Sequence, residues 1–406
     1  MEIGDIMGDI INFKFDNIGK VKNANLKLDG ISVIAGYNNS GKSTITKGVQ
    51  LLLFSFLNLE VRAQNSRLNS ISNVLDTFIQ SDFEFMINNN TSRKQRLEVA
   101  RIIYKSYIDN KSFSENDLEK IIYENFDFIK KLELQDIQDL YIKITPLLSK
   151  SIEEYKRFIC EMAIREYFGD DICTLNCIDS TKLMFSINNA QYRIKIQPGN
   201  IFLHSNTTLK NIKSQYIVSS LDSLYNNNMI FNSNRPVYTL EKHQQIQEKT
   251  NIINEILTSC MNGSLKVENG RIYFYDNDYN YNFDLKNTAS GLRLPMVIQR
   301  VLEVNDFNSD LVLLVDEPEV NAHPELQIKI AEIFVLLCKE LDIKILLNSH
   351  SPYFIRAIQI LSAKHKIADR CNYYFLEQKN KLSTLKDVTN NTEYIYQTMY
   401  KPLEEL

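Results

Sequence analysis

The chain has 406 residues, which is long for one domain and predicts two lobes. Its 44% hydrophobic and 24% charged residues are typical of a soluble globular protein. The formal net charge of −4 excludes an overall basic footprint for nucleic acid or an anionic membrane, although local basic patches are compatible with it. Six scattered cysteines lack zinc-like spacing with histidine, and neither a secretory signal nor a membrane-spanning run is evident. We therefore expect a cytoplasmic protein with reduced thiols and no membrane partner.

The first pattern in the chain predicts short strands followed by a phosphate-binding loop. Alternating runs between residues 10 and 35 indicate strands, and a helical pattern begins at Ser43. The spacing Gly36-x-x-x-x-Gly41-Lys42-Ser43 lies between them and matches G-x-x-x-x-G-K-[ST] in its required context. The glycines let backbone N–H groups converge on phosphates, Lys42 would reach the β- and γ-phosphates, and Ser43 would ligate Mg²⁺. The predicted ATP-binding residues are Asn38, Asn39, Ser40, Gly41, Lys42, Ser43 and Thr44.

The middle of the chain has a different character. Residues 60–170 contain one glycine and one proline and show repeated helical periodicity, which predicts a mainly α-helical insertion. The run Ser112-Phe-Ser-Glu115 predicts a capping box for a helix to about Leu132, and another helical pattern covers Pro146–Phe168. A basic cluster lies in this insertion and is either a solvated helix face, which we favour, or a nucleic-acid contact. Its members are Arg93, Lys94, Arg96, Arg101 and Lys105.

Strand-like alternation returns in residues 182–204 and 265–284, with a polar helix predicted at about 238–261. From residue 286 the chain has a β/α rhythm that predicts buried strands of a parallel sheet. We therefore predict an α/β fold with a P-loop head on a mixed β-sheet, a mainly helical insertion and a small β-rich segment. The predicted domains are a head at 1–58 and 265–406, the insertion at 59–180, and a linking segment at 181–264.

Two predicted buried strands carry polar residues at their carboxyl ends, where ligands bind in open α/β sheets. After Leu311–Val315 come Asp316, which suits Mg²⁺ binding, and Glu317, which suits the base that orients the attacking water. The strand that begins at Ile343 leads to His350, for which we favour a γ-phosphate-sensing role over a structural one. The predicted catalytic residues are thus Lys42, Glu317 and His350, and the predicted metal ligands are Ser43 and Asp316.

A weaker motif precedes the acidic strand. Ser290 is predicted to cap a helix that ends near Asn305, and Gly291 leaves the helix N-terminus bare for an anion. Ser-Gly before a helix is common, but the position of this pair, 26 residues before Asp316, strengthens the prediction.

Together these motifs resemble the ABC-type ATPase head, in the branch of OLD-family, RecF-like and SMC-like proteins. The resemblance rests on Gly36–Thr44, on Asp316–Glu319 followed by His323-Pro324, and on Asn348–Pro352. It implies that Ser290 and Gly291 form a signature loop that contacts the γ-phosphate of a nucleotide held by a second protomer. It also implies a homo-oligomer, a head-to-head dimer with two ATP molecules at its interface. The double glycine of the transporter signature is missing, and we identify neither a Q-loop nor an adenine-stacking residue.

The same motifs are compatible with several classes of ATPase. The 246 residues between Ser43 and Ser290 disfavour a transporter subunit, and a RecF- or SMC-like DNA-repair ATPase would need a basic surface or long heptads that are not evident. Only 56 residues follow His350, too few for the Toprim nuclease domain of OLD proteins. The chain resembles stand-alone ATPases of bacterial anti-phage systems, such as the PARIS ATPase subunit, whose separate partner carries the toxic activity.

We therefore expect an ATP-hydrolysing molecular switch that acts through an effector protein encoded nearby, with a DNA-binding repair ATPase as the alternative. Binding of nucleic acid is compatible with either. The tail at residues 387–403 predicts a capped amphipathic helix, which either docks such a partner or packs on its own head.

Overall fold

The computed structural model describes residues 9–83, 92–109, 113–126, 134–169, 172–173, 180–197, 200–209, 213–218, 240–268, 271–304 and 311–404. Its strands are β1 Ile11–Ile18, β2 Val21–Leu28, β3 Ile31–Ala35, β4 Thr181–Ile187, β5 Ala190–Gln197, β6 Asn200–Ser205, β7 Lys213–Val218, β8 Gly263–Glu268, β9 Arg271–Asp276, β10 Tyr281–Asp284, β11 Leu311–Asp316, β12 Lys344–Ser349, β13 Cys371–Lys379 and β14 Leu382–Asp387.

Its helices are α1 Lys42–Phe56, α2 Leu59–Phe83, α3 Arg93–Asp109, α4 Glu115–Asn125, α5 Leu134–Ser149, α6 Ile152–Phe168, α7 Leu240–Met261, α8 Arg293–Val304, α9 Pro324–Leu341, α10 Pro352–Lys364 and α11 Glu393–Glu404. Short 3₁₀ turns cover Leu285–Asn287, Ser290–Leu292 and Ala368–Arg370. The chain forms two compact units, which we call the head unit (Met1–Leu57 with Ile164–Leu406) and the helical unit (Asn58–Ala163).

The described part of the head unit contains a mixed sheet of eleven strands in the order β6-β5-β4-β1-β2-β14-β13-β3-β12-β11-β7. The run from β13 to β7 is parallel, whereas β2, β1, β4, β5 and β6 pair antiparallel. A separate sheet has the order β10-β9-β8. The predicted α/β class, with a mixed sheet and a small β-rich segment, is confirmed.

The burial of the strands follows their sequence patterns. Side chains alternate between buried and exposed along β1, as expected for a strand with one solvated face. Every side chain of β3, β11 and β12 is buried, because helices cover both faces of the parallel half of the sheet. The strands predicted before residue 36, the helix after the loop and the two late buried strands are therefore all present.

The helical unit has a hydrophobic core of its own, as the predicted insertion requires. Leu75 of α2, Ile103 of α3, Leu118 of α4 and Leu140 of α5 are among its fully buried members. Deep burial of this apolar surface is what stabilises a helical bundle, since helix propensity alone contributes little. Across the described residues, no helix combines the length and hydropathy needed to cross a bilayer.

Four details differ from the sequence predictions. The helical pattern predicted over Pro146–Phe168 is divided between the end of α5 and α6, which begins at Ile152. The capping box of α4 uses Ser114, whose Oγ accepts from the Asp117 amide at 3.3 Å while the Asp117 carboxylate accepts from the Ser114 amide at 2.8 Å. Ser112 lies outside the described residues, and the helix ends at Asn125 rather than near Leu132. Ser290 is not a helix N-cap, because it begins a 3₁₀ turn whose N-cap is Ala289.

The tail forms the predicted helix, α11, and this helix packs on the head unit. Ile395 and Tyr396 are buried within the core of that unit. The ring of Tyr394 meets the ring of Phe375 edge-on, with centroids 5.7 Å apart. Of the two roles predicted for the tail, packing on its own head is the one seen.

Candidate active site

The parallel order of three strands brings the predicted residues to one edge of the sheet. β12 lies between β3 and β11, and all three run in the same direction. The loop of Gly36 to Gly41 follows β3, Glu317 follows β11, and His350 follows β12. Segments that are about 300 residues apart in sequence therefore meet at the carboxyl ends of adjacent strands, where α/β proteins bind ligands.

Lys42 is the first residue of α1, and its side chain folds back into the preceding glycine loop. Its Nζ donates to the carbonyl oxygens of Gly36 at 2.8 Å and Tyr37 at 2.9 Å, and only 5% of the residue is exposed. Burial lowers the pKa of the Lys42 ammonium, since a charged group loses solvation, and the carboxylates of Glu317, Asp316 and Glu319 oppose this shift. The buried cation and the acidic cluster thus face the same space.

The glycines give the loop its shape. Gly41 has φ 106°, and a Cβ placed there would lie 3.0 Å from Cγ2 of Val21. A Cβ on Gly36 would lie 3.2 Å from Oγ of Ser40. Asn39 adopts φ 61°, and its Oδ1 accepts from Lys20 Nζ at 2.6 Å. The backbone is thus held in a tight turn in which larger side chains would not fit.

The start of α1 supplies the groups that a phosphate needs. α1 begins at Lys42, so the amides of Lys42, Ser43 and Thr44 have no acceptor within the helix. Oγ of Ser40 is buried without a hydrogen-bond partner, while the Ser40 carbonyl accepts from Ser383 Oγ at 2.5 Å. A cradle of helix amides, one lysine and two glycines fits the phosphate chain of a nucleotide.

Asn348 connects the helix of the loop to the acidic strand. It is completely buried, and its Nδ2 donates to Thr46 Oγ1 at 2.7 Å and to Asp316 Oδ1 at 3.0 Å. The Asp316 carboxylate, with 8% of the residue exposed, is thereby fixed on the side of α1. The sequence motif assigns Asn348 no role, whereas its place on the middle strand lets its amide contact both α1 and β11.

Glu317 has an unusual backbone conformation. Its φ is 51°, which is uncommon for a residue other than glycine. Its amide donates to the Asn348 carbonyl on the neighbouring strand at 3.0 Å, and its carbonyl accepts from the Val320 amide at 3.1 Å, which closes the turn. Its side chain is 40% exposed, and its Oε1 lies 3.6 Å from Nδ1 of His350. The carboxylate therefore has access to solvent from a rigid turn, as a base that handles water requires.

Glu319 is a second site residue, after Asn348, to which the sequence motif assigns no role. Its Oε1 accepts from Ser349 Oγ at 2.8 Å, from the His350 amide at 2.9 Å and from the Ser351 amide at 3.2 Å. Burial raises the pKa of the Glu319 carboxyl, and these hydrogen bonds oppose the shift. Glu319 therefore holds the segment that carries His350, whose Nδ1 lies 3.4 Å from Glu319 Oε1.

The protein side chains alone do not form a metal cage. In the described ranges, no cluster of three or more His, Cys, Asp or Glu side chains is arranged to hold a metal ion. A hard cation at this edge would take Ser43 and Asp316 together with phosphate oxygens, which is how Mg²⁺ is usually bound in phosphoryl-transfer sites. The donor set therefore fits an ion that arrives with a nucleotide.

Ser290 and Gly291 lie in the 3₁₀ turn before α8. The Cα of Gly291 packs against the segment that follows Glu317, where an added Cβ would lie 2.7 Å from the carbonyl oxygen of Asn321. Glycine is required there by this close approach of two backbone segments. The structure thus joins this turn to the acidic strand through Asn321, and joins Lys42, Asp316, Glu317 and His350 to one another at the sheet edge.

Comparison with solved structures gives low-scoring alignments to SMC heads. They include the SMC head domain from Thermotoga maritima (9% identity, TM-score 0.40, covering 94% of this chain and 99% of that one). An SmcHead bound to the C-winged helix domain of ScpA has 11% identity, a TM-score of 0.45 and coverages of 95% and 99%. An Smc head domain with an extended coiled coil, bound to the C-terminal domain of ScpA derived from Pyrococcus furiosus, has 12% identity, a TM-score of 0.36 and coverages of 98%.

The comparison with protein families is more informative. No curated protein matches the chain. One family model, described as an AAA ATPase domain, matches residues 9–355, which is most of the chain and includes the glycine loop, the acidic strand and His350. This match agrees with the predicted nucleotide-binding function. The chain therefore belongs to the AAA ATPase domain family.

Proposed function

We propose that the chain is an Mg²⁺-dependent, ATP-hydrolysing molecular switch. The observation that carries this proposal is the convergence of Lys42, Asp316, Glu317 and His350 at one sheet edge, where Asn348 donates to Asp316. Phosphoryl transfer to water needs little beyond positioning and charge neutralisation. Each of these tasks has a side chain in the described site.

The chain's own residues divide the work as follows. The first amides of α1 and the Lys42 ammonium bind the phosphate chain. To do so, Lys42 Nζ gives up its hydrogen bonds to the Gly36 and Tyr37 carbonyls and donates to phosphate oxygens instead. Ser43 and Asp316 would hold Mg²⁺, which neutralises phosphate charge when it is bound. Glu317 orients a water molecule and accepts its proton, and His350, whose segment is held by Glu319, lies beside it.

We further propose an ABC-type arrangement in which two heads share two ATP molecules. Ser290 and Gly291 would contact the γ-phosphate of a nucleotide bound by the opposite head. This arrangement rests on the resemblance of the motifs. Within one chain, Gly291 packs against Asn321 of the segment that follows Glu317. Closure of the dimer would then depend on the state of each nucleotide, which is the basis of a switch.

For the biological role we propose a cytoplasmic sensor or scaffold subunit of a bacterial anti-phage system, of the OLD-like branch and without a Toprim domain. An effector protein encoded nearby would carry the toxic activity, and the helical unit would transmit the nucleotide state. This part of the proposal rests on the resemblance of the motifs. A DNA-binding repair ATPase is the alternative, and the basic cluster of the helical unit does not favour it, because Arg96 pairs with Asp76 at 3.3 Å and Arg101 with Glu98 at 2.9 Å.

The test is the native mass of the Glu317→Gln protein with ATP and Mg²⁺, with and without duplex DNA and the product of the neighbouring gene. We expect ATP-dependent dimers that recruit the neighbouring protein, together with a fall in ATP turnover of about 100-fold or more, since a general base contributes 10²–10⁴. Glu325→Gln, on an exposed residue in the first turn of α9, is the matched control and should hydrolyse ATP normally.

The same measurement separates the parts of the proposal. Dimers that recruit only DNA would favour the repair ATPase. ATP binding without dimers would overturn the shared-site role of Ser290 and Gly291 and leave a monomeric ATPase. Nuclease or other effector activity of the isolated chain that survives Lys42→Ala would contradict the switch.

A further inference from the structure

A second charged feature of the head unit lies in the antiparallel half of the sheet. Four cations project from the solvated face of three adjacent strands, and we call them the cationic sheet face: Lys14 of β1, Lys182 of β4, and Arg193 and Lys195 of β5. Directly opposed residues of antiparallel strands share one face, as do residues two apart on a strand. The strand register therefore places all four side chains on the same side.

The register arranges this face in two rows. In the first row Lys14 lies opposite Met184, Met184 opposite Arg193, and Arg193 opposite His204. Nε of Arg193 contacts Met184 Sδ at 2.9 Å, which holds the guanidinium over the middle of this row.

In the second row Asp16 lies opposite Lys182, Lys182 opposite Lys195, and Lys195 opposite Phe202. Lys182 and Lys195 are thus a directly opposed pair of like charges, which destabilises a sheet unless an anion lies between them. Asp16 lies opposite Lys182 on its other side and balances one of the two charges. The second positive charge of the pair has no opposed carboxylate in the register, which favours binding of an anion there.

Few acidic groups balance the four cations. Asp16 is the carboxylate nearest to Lys182 by register, and its Oδ1 accepts from Asn23 Nδ2 at 2.7 Å. Within the described ranges, none of the four cations has a salt bridge, although ion pairs are common elsewhere on the head unit. The face is consequently a local positive patch on a chain whose formal charge is −4.

The same face is concave and carries an exposed aromatic ring. A groove of about 550 Å³ has Lys14, Lys27, Arg193 and His204 in its lining, together with one carboxylate, Asp387. A neighbouring hollow of about 390 Å³ is lined by all four cations, with Met184 between them and Asp16 as its one carboxylate. Phe202 ends the second row and is 52% exposed, so its ring is accessible for stacking beside the cations.

We propose that the cationic sheet face binds single-stranded nucleic acid. A groove of cations follows a phosphate backbone, and an exposed ring beside it stacks on an unpaired base. Sheet faces that combine basic and aromatic side chains recognise single strands in this way, since bases that are splayed out are accessible to such rings. This binding needs no bound ATP and does not rest on the proposed switch.

The test is fluorescence anisotropy of a labelled twenty-nucleotide oligo-dT with the full chain, without ATP, over a range of salt concentrations. We expect the triple variant Lys182→Gln/Arg193→Gln/Lys195→Gln to bind at least tenfold more weakly. The slope of log affinity against log salt should fall by about 2, since each lost phosphate contact of a single strand contributes about 0.7. Phe202→Ala should weaken binding about tenfold at an unchanged slope, because it removes stacking alone.

The matched control has the same loss of charge in the helical unit, in the variant Arg93→Gln/Lys94→Gln/Lys105→Gln. It should bind oligo-dT like the unaltered chain. Folding is checked by thermal unfolding, in which the sheet-face variant should be as stable as the unaltered chain or more so, because it relieves the Lys182–Lys195 repulsion.

Three results would overturn the proposal. One is equal binding by the sheet-face variant and the unaltered chain. Another is a twenty-base-pair duplex that binds more tightly than oligo-dT, which would exclude stacking on unpaired bases. The third is competition by poly-glutamate as effective as that by unlabelled oligo-dT, which would indicate an acidic protein partner instead.

Discussion

Tyr37 joins the glycine loop to the last helix, since its hydroxyl donates to the carbonyl oxygen of Thr398 at 2.5 Å. The carbonyl of the same residue accepts from Lys42 Nζ at 2.9 Å. The Tyr37 ring also meets Phe375 edge-on at 6.3 Å, and Phe375 in turn contacts Tyr394 of α11. A movement of the Tyr37 backbone, to which Lys42 donates, is thereby coupled to the position of α11.

Replacing Tyr37 with phenylalanine should loosen α11 without unfolding the head unit. The change removes one hydrogen bond of a partly exposed hydroxyl, so we expect a loss of about 0.5 to 1 kcal/mol in unfolding free energy. Hydrogen exchange should become faster in Glu393–Glu404 and stay unchanged in β12. Tyr353→Phe, on an exposed tyrosine of α10, is the control, and equal exchange in all three proteins would contradict the coupling.

Asn348→Ala should be among the most destabilising changes in the site. It removes the two hydrogen bonds that the buried amide donates to Thr46 Oγ1 and Asp316 Oδ1, which we expect to cost about 3 kcal/mol in urea unfolding. Thr46→Val removes only one of the two contacts and should cost about half as much. A loss below about 0.5 kcal/mol for Asn348→Ala would show that the amide does not position Asp316.

Glu319 makes the stability of the head unit depend on pH. Its folded-state pKa is raised by burial above the ordinary value of 4.5, so the unfolded chain releases this proton at lower pH than the native protein does. Below pH 4.5 the Glu319 carboxyl is protonated in both states and does not lower the free energy of unfolding. This free energy falls as the pH rises from 4.5 through the raised pKa of the folded state.

Glu319→Gln keeps an oxygen acceptor for the three donors and removes the buried charge. We expect its Tm to exceed that of the unaltered protein at pH 8, with the difference shrinking to nothing near pH 4. Thermal unfolding between pH 4 and 8 measures this difference, and a constant offset across the range would refute the assignment to Glu319.

Lys42→Ala should abolish nucleotide binding while the protein stays folded. The ammonium is buried and its pKa is lowered, so its removal should leave Tm unchanged or raise it. Titration with a fluorescent ATP analogue should show a loss of affinity of 100-fold or more, as expected when one desolvated charge contact to phosphate is lost. Lys47→Ala in α1 is the control and should bind normally.

Much of the sheet could be predicted because its patterns are local. Continuous apolar runs indicated β11 and β12, and the glycine spacing placed the loop between β3 and α1. Because parallel strands expose their carboxyl ends at one edge, the meeting of Lys42 with the acidic residues also followed from sequence.

The remaining features depend on contacts between distant segments. Nothing in the sequence places β12 between β3 and β11, so the role of Asn348 as a bridge to Thr46 could not be inferred. Glu319 shares its motif with Asp316, and only the structure shows that it turns toward the backbone of His350. The two rows of the cationic sheet face likewise depend on the register of β1, β4 and β5. A shift of one residue in that register would move the side chains of a strand to the opposite face of the sheet.

The strand order also has a consequence for biosynthesis. β3 pairs with β12 and β13, and both are translated about 300 residues after it, or roughly 15 to 60 s later at 5–20 residues per second. During that interval β3 lacks both of its neighbouring strands, although all its side chains are buried in the folded protein. The nascent chain therefore exposes an aggregation-prone segment beside its glycine loop. Competence to bind a nucleotide therefore arises late, and a ribosome stalled before β12 would carry a chain with the loop but without the site.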